Sequence, residues 1–224
     1  MIVEIVGVAG AGKTTILSHL IERHPTFEPI FEWRRLSHLP AYVRSAVSLF
    51  PVWFTSRITG QPLPWKGINW MIRLKALNHL LQHQPSGHGS VIILDQGPVY
   101  TFARLLDYGL TENAFSSEWM MSCLIEMLSH SAEILDAVIL LDAPNDILSS
   151  RIRNRHKPHR MKQSSEQVVQ SFLNQHRLAY IQTLERLKAG KNTNVLTYNT
   201  HQQSIGEVVT DIASQCSVCL AVNS

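Results

Sequence analysis

Residues 7–15 read GVAGAGKTT: a glycine, four residues, then Gly-Lys-Thr. This pattern, together with what flanks it, decides the fold class. On its N-terminal side the run Ile2, Val3, Ile5 and Val6 is β-branched and reads as a buried strand. On its C-terminal side Ile16, Leu17, Leu20 and Ile21 recur at helical spacing, so residues 13–23 read as a helix. Gly7, Gly10 and Gly12 let the backbone approach an anion closely, so that loop N–H groups and the helix start face it. In that setting Lys13 reaches the β- and γ-phosphates of a nucleoside triphosphate, and the Thr14 hydroxyl binds Mg²⁺. A glycine-rich turn with no ligand is the plain alternative. The agreement of strand, loop, Lys-Thr pair and amphipathic helix argues against it.

Four further short apolar runs follow, at 29–31, 91–94, 138–141 and 194–198. Helical periodicity separates them, over about 68–84, 99–108, 116–129, 146–155, 166–188 and 204–213. Strands that alternate with helices pair in parallel, because each parallel neighbour needs a crossover. The expected fold is therefore α/β: a phosphate-loop NTPase with a five-stranded parallel sheet and helices on both faces, in three α/β/α layers. The 224 residues make a single domain. Within it, residues 32–67 are set apart by Pro40, Pro51, Pro62 and Pro64 as an acceptor-side lobe that holds short helices at most. Residues 151–163 form a lid, and residues 217–224 form a tail that frays.

Composition narrows the function classes. No apolar run approaches the ~18 residues that span a bilayer, so no membrane partner is expected. The N-terminus shows no basic leader and reads as a buried strand, so a cytoplasmic location is expected. The three cysteines are too few for a disulfide framework. Cys216 and Cys219 have the spacing of half a zinc site without a second half. A net charge of +3 gives no reason to expect a nucleic-acid partner.

Two apolar runs end in aspartate, VIILD at 91–95 and VILLD at 138–142. Ligands of open parallel sheets bind at that end of the strands. Asp95 is followed by Gln96, Gly97 and Pro98, a tight turn that holds the carboxylate at the sheet edge, which makes it the preferred functional acid and a second candidate for Mg²⁺. For Asp142, a place in the site and a structural place at the strand end stay open. The chain lacks the Asn-Lys-x-Asp guanine signature, which disfavours a signalling GTPase. From Arg151 to Lys162 there are six basic residues and no acid. Arg151 and Arg155 lie i,i+4 on one helical face, and Pro158, His159 and Arg160 continue into a loop able to close over a triphosphate. A solvated basic face or an RNA contact is the alternative reading of that stretch.

Together these features resemble the nucleoside and nucleoside-monophosphate kinases, most of all thymidylate kinase and its deoxynucleoside-kinase relatives. The segment LDAPNDILSSRIRNRHKPHRMK at 141–162 is similar to that family's strand, helix and lid. There Arg151 and Arg155 match the helix arginines and Arg160 the arginine of an Asp-Arg pair. His159 stands where the family has Asp, and Lys162 where thymidylate kinases commonly have Glu. Phe172 and Tyr180 match an aromatic pair in the helix after the lid. The resemblance implies that Arg73 contacts the acceptor and that Thr200 lines the adenine site. Gln96 departs from the family's Asp-Arg or Glu-Arg pair, whose arginine touches the transferring phosphoryl group or the acceptor.

The expected activity is ATP-dependent phosphoryl transfer to a nucleoside, nucleoside monophosphate or similar small acceptor. A kinase of a sugar, antibiotic or other alcohol and a nucleotide-binding regulatory protein are the alternatives. Lys13, Asp95, Arg151, Arg155 and Arg160 would carry the chemistry. Gly7, Gly10, Ala11, Gly12, Lys13, Thr14, Thr15, Arg151 and Thr200 would hold ATP, Thr14 and Asp95 Mg²⁺, and Arg73, Asp95 and Gln96 the acceptor. The tryptophans of 33–70 could stack on a flat acceptor or form a small satellite core. The apolar segment 119–128 suits a homodimer interface and core packing equally.

Overall fold

The computed structural model describes residues 1–30, 38–58, 63–83, 90–112, 118–190 and 193–222. Five strands form one sheet: β1 (Ile2–Gly7), β2 (Phe27–Ile30), β3 (Val91–Asp95), β4 (Ala137–Asp142) and β5 (Asn194–Asn199). Eight helices among the described residues flank it: α1 (Lys13–Arg23), α2 (Leu39–Ile58), α3 (Trp65–Gln82), α4 (Pro98–Glu112), α5 (Glu118–Ile134), α6 (Asn145–Asn154), α7 (Glu166–Gly190) and α8 (Ile205–Val222). The sheet order is β2-β3-β1-β4-β5, and every pairing is parallel.

β1 is the centre of the molecule. All six of its residues are buried, and it pairs with β3 on one side and β4 on the other. The chain leaves β1 for β2 on one flank and later reaches β4 on the other, so the C-terminal ends of β1, β3 and β4 meet at the topological switch point where such sheets bind ligands. Gly7, Asp95 and Asp142 stand at those three ends. α1 packs with α8, whereas α3, α4, α5 and α7 pack among themselves. Both groups touch β1 and enclose the sheet. Between α3 and α5, the buried Asn78 donates to the Met127 carbonyl at 2.8 Å and accepts from Ser131 Oγ at 2.9 Å.

The structure corrects two expectations. The proline-rich stretch holds the 20-residue helix α2. Pro40 lies in its first turn, where no N–H partner is needed. Pro51 is exposed, so water can satisfy the carbonyl that it leaves unpaired four residues back. The tail expected to fray from residue 217 is helical to Val222, because Val208, Val209, Ile212, Ala213 and Cys216 anchor α8 in the core. In the segment 119–128, which suits a dimer interface and core packing equally, Leu124, Met127 and Leu128 are core residues, whereas Ile125 is exposed. The Trp119 side chain lies outside the described residues.

Candidate functional site

The turn from β1 into α1 is built by positive φ angles. Gly7 has φ 150°, and a Cβ there would stand 2.1 Å from the Leu141 carbonyl oxygen, so only glycine lets β1 run this close to β4. Gly12, at φ 87°, caps α1 in the left-handed conformation. Ala11 is fully buried beneath the loop, and its N–H bonds to the Val8 carbonyl at 3.3 Å. The first turn of α1 presents N–H groups that have no partner within the helix. Lys13 folds back over the loop and donates to the carbonyls of Gly7 (2.7 Å) and Val8 (3.1 Å). Burial pushes its ammonium down to about 8; Asp95 works against that shift and Arg155 adds to it.

One cavity of about 860 Å³ opens over this loop. Gly7, Gly10, Gly12, Lys13, Thr14, Thr15, Asp95, Gln96, Arg151, Arg155, Arg160 and Thr200 all line it. That size suits a nucleotide-scale ligand. Thr14 and Asp95 bring a hydroxyl and a carboxylate to the same space, a hard-oxygen donor set that fits Mg²⁺.

The arginines are held in different ways. Arg151 is fixed: it donates to Thr200 Oγ1 and the Thr200 carbonyl, both at 2.9 Å, and to the Gly10 carbonyl at 3.3 Å. Thr200 in turn donates its N–H to the Asp142 carbonyl at 2.9 Å. Phosphate loop, α6 and the end of β5 are thereby tied at one point. Arg155 ends α6, and its carbonyl accepts from Lys162 Nζ at 2.9 Å. The Arg160 guanidinium rests on the Phe172 ring, 4.7 Å from its centroid.

Asp142, left open by the sequence, is structural. Arg177 grips both its oxygens, at 2.6 and 3.1 Å, and Oδ1 also accepts the Ala143 N–H at 2.8 Å. Arg73 lies beside the cavity rather than among its lining residues. It donates to the Gln96 carbonyl at 3.1 Å and stacks on Trp70 and Tyr100, with centroid distances of 5.4 and 6.0 Å. The aromatic residues of the acceptor lobe divide: Trp53 and Trp70 are half-buried and pack against the main core. Phe50, Phe54 and Trp65 are exposed, and Trp33 and Phe31 lie outside the described residues.

Several lining residues escaped sequence reasoning. These are Tyr100 and Arg104, i,i+4 on α4, and His176, which stands i,i+4 between Phe172 and Tyr180, the aromatic pair already singled out in the sequence, so each helix turns one face to the cavity. That spacing, directly after the Asp95 turn and the lid, was the available signal. Asp107 pairs with Arg104 at 2.9 Å and with His176 at 3.1 Å, and Arg104 also contacts His176. Burial lowers the His176 pKa although Asp107 opposes it. Burial also works to raise the Asp107 carboxyl, but His176, Arg104 and Arg160 outweigh it and hold that carboxyl below its ordinary range. The aromatic wall, Arg104, Arg160 and Asp95 make this end of the cavity able to hold a polar or anionic acceptor.

Glu4 was also missed. Fully buried on β1, its carboxylate accepts the N–H groups of Val99 and Tyr100, each at 2.8 Å, and so anchors α4 beneath the Asp95 turn. That turn carries Gln96 in the left-handed region at φ 66°. Among the described residues no cluster of metal-ligating side chains stands elsewhere, Cys216 and Cys219 included.

No family model matches the chain, and no curated sequence does. Solved structures do match. Deoxyadenosine kinase from M. mycoides with bound dCTP superposes with a TM-score of 0.55 at 15% identity, over 97% of this chain and 100% of that one. Thymidylate kinase from Candida albicans gives 0.57 at 16% identity, over 97% and 91%. The YorR protein from Bacillus subtilis, in complex with phosphorylated GDP, gives 0.51 at 13% identity, over 97% and 96%.

Proposed function

We infer that this chain, which has the α/β fold shared by P-loop nucleoside and nucleotide kinases, is a cytoplasmic, thymidylate-kinase-like enzyme that moves the γ-phosphoryl group of ATP to a nucleoside, nucleoside monophosphate or similar small acceptor. One observation carries this reading: the loop with Lys13 and Thr14, the lid arginines and Asp95 all face a single cavity.

Phosphoryl transfer needs in-line positioning and charge neutralisation more than covalent help from the protein. The loop amides and Lys13 hold the β- and γ-phosphates. Arg151, already fixed on Thr200, reads the donor side, and Arg155 and Arg160 cover the γ-phosphoryl group. Thr14 would hold Mg²⁺, with Asp95 as the second ligand where it does not serve as base, and the ion would supply further neutralisation of the phosphate charge when bound. For a hydroxyl acceptor, Asp95 orients the O–H and takes its proton while the new O–P bond forms and the bond from Pγ to the bridging oxygen breaks. For a phosphate acceptor no strong base is needed, and the cations Arg104 and Arg73 matter more.

Gln96 favours a second reading, a kinase of a non-nucleotide alcohol, because a neutral amide stands where the resemblance implies an arginine. The deciding experiment measures ATP consumption with nucleosides, nucleoside monophosphates and small alcohols in turn. Stimulation by a nucleoside or nucleotide supports the first reading and stimulation by another alcohol the second. ATP binding without stimulation by any of them means a regulatory nucleotide-binding protein instead.

A further inference from the structure

α2 carries an uncovered apolar face. Leu39, Val43, Val47, Phe50, Phe54 and Ile58 follow one another at steps of three or four residues, so they form one stripe along a helix about 30 Å long. All six are between 52 and 70% exposed. The buried residues of α2, Ala41, Ser45, Leu49 and Ser56, lie on the opposite side of the helix. Single exposed apolar residues are ordinary. A contiguous stripe on the order of 600 Å² reaches the upper end of what a monomer leaves bare and marks a contact surface.

Charge selects what covers it. From Trp33 to Leu94 the sequence holds seven Lys or Arg and no Asp or Glu. Arg44 and Arg57 on α2, and Lys66 and Lys75 on α3, are exposed. Arg57 flanks the stripe with its guanidinium 5.6 Å from the Trp53 ring centroid, and Trp65 is exposed at the start of α3. A second copy would set these cations against their own kind, with no acid on either helix to meet them, which disfavours self-pairing. A bilayer rich in anionic phospholipid offers both an acyl boundary for the stripe and negative headgroups for the rim.

We propose that α2 docks on an anionic phospholipid surface, with its stripe lying in the boundary between headgroups and acyl chains and its arginines among the headgroups. Lying on a bilayer is not crossing it: among the described residues no helix is long and apolar enough to span a membrane. α2 packs on α3, and Arg73 of α3 bonds to Gln96, so the docked face is one helix away from the acceptor side of the cavity.

The test uses the full chain without nucleotide, so its outcome is independent of the kinase reading. In flotation, vesicles of phosphatidylcholine with about 30% phosphatidylglycerol should carry the protein upward, with at least about tenfold weaker association for pure phosphatidylcholine or at high salt. Tryptophan emission should shift to the blue on binding. The double variant Phe50→Asp/Phe54→Asp should lose flotation while its circular dichroism and thermal unfolding stay unchanged. Arg44→Glu/Arg57→Glu should weaken flotation without touching the stripe, and it serves if the first variant fails to fold. Absent flotation, equal flotation with neutral vesicles, or flotation indifferent to both variants overturns the proposal. So does a dimer that ignores vesicles and falls apart on Phe50→Asp, since a second copy would then cover the face.

Discussion

The Glu4 carboxylate, on the central strand, accepts the Val99 N–H at 2.8 Å across 95 residues of sequence. It ties β1 to the first turn of α4 and fixes the turn that aims Asp95. Burial drives the Glu4 pKa from 4.5 up to about 8, more strongly than the Tyr100 and Val99 N–H groups lower it. The folded state thus holds the proton more tightly than the unfolded chain. The contribution of Glu4 to stability is full below about pH 4.5 and is lost as pH rises toward 8. Glu4→Gln cannot ionise. Denaturation of both proteins from pH 5 to 8 should show the wild type losing stability relative to the variant as pH rises. Parallel curves would refute this role.

Gly97 lies against the same carboxylate. A Cβ at this position would meet the Glu4 Cδ and Oε2 at 2.8 Å and Leu94 Cδ1 at 3.0 Å. Glu4 cannot swing aside, because two N–H groups hold it in a buried site. Gly97→Ala should therefore cost about 1–3 kcal/mol and lower turnover by disturbing the Asp95 turn. Thermal denaturation and kcat check the two effects separately, and unchanged stability would show that the carboxylate has room to move.

How much of this was legible in the sequence follows from contact distance along the chain. The phosphate loop is local: its glycines, Lys13 and Thr14 act within a few residues, and all fall where the pattern puts them. The five strands and the Asp95 turn were readable because apolar runs and Gly-Pro punctuation are local too. Glu4 was not, because its partners Val99 and Tyr100 are remote and nothing in a β-strand announces a buried acid. The same holds for Asp142 with Arg177 and for Arg104 with His176. The helix α2 was misread because two prolines usually mean interruption, and only burial of its inner face on α3 makes the continuous helix favourable.

Lys13 should register nucleotide binding as proton uptake. Its ammonium titrates near 8 in the free protein, chiefly through burial, and a triphosphate at the loop favours the charged form. At about pH 8.5 a fraction of the chains starts with neutral Lys13, so each takes up a proton on binding; at about pH 6.5 almost none does. Calorimetry in buffers of different ionisation enthalpy reads this difference directly. Lys13→Ala should lower turnover on the order of a thousandfold without altering the fold. Wild-type turnover in that variant would remove the mechanism.

Arg151 and Arg160 should divide between binding and chemistry. Arg151 is held by three hydrogen bonds to Thr200 and Gly10 before any ligand arrives, so its contact with the donor is equally available to substrate and transition state. Losing such uniform binding raises KM with little change in kcat. Arg160 instead lines the cavity while resting on the Phe172 ring, and closing on a phosphoryl group would lift it from that ring. Its contact then forms late and counts mainly in the transition state. Arg151→Ala should therefore raise KM for ATP about tenfold or more while keeping most of kcat, and Arg160→Ala should lower kcat on the order of a hundredfold with KM for ATP little changed. Steady-state kinetics on both variants, with whichever acceptor stimulates turnover, decides this. If both residues shift KM alone, the lid only binds nucleotide; if Arg151→Ala lowers kcat as deeply as Arg160→Ala, the Thr200 anchor belongs to the transferring geometry as well.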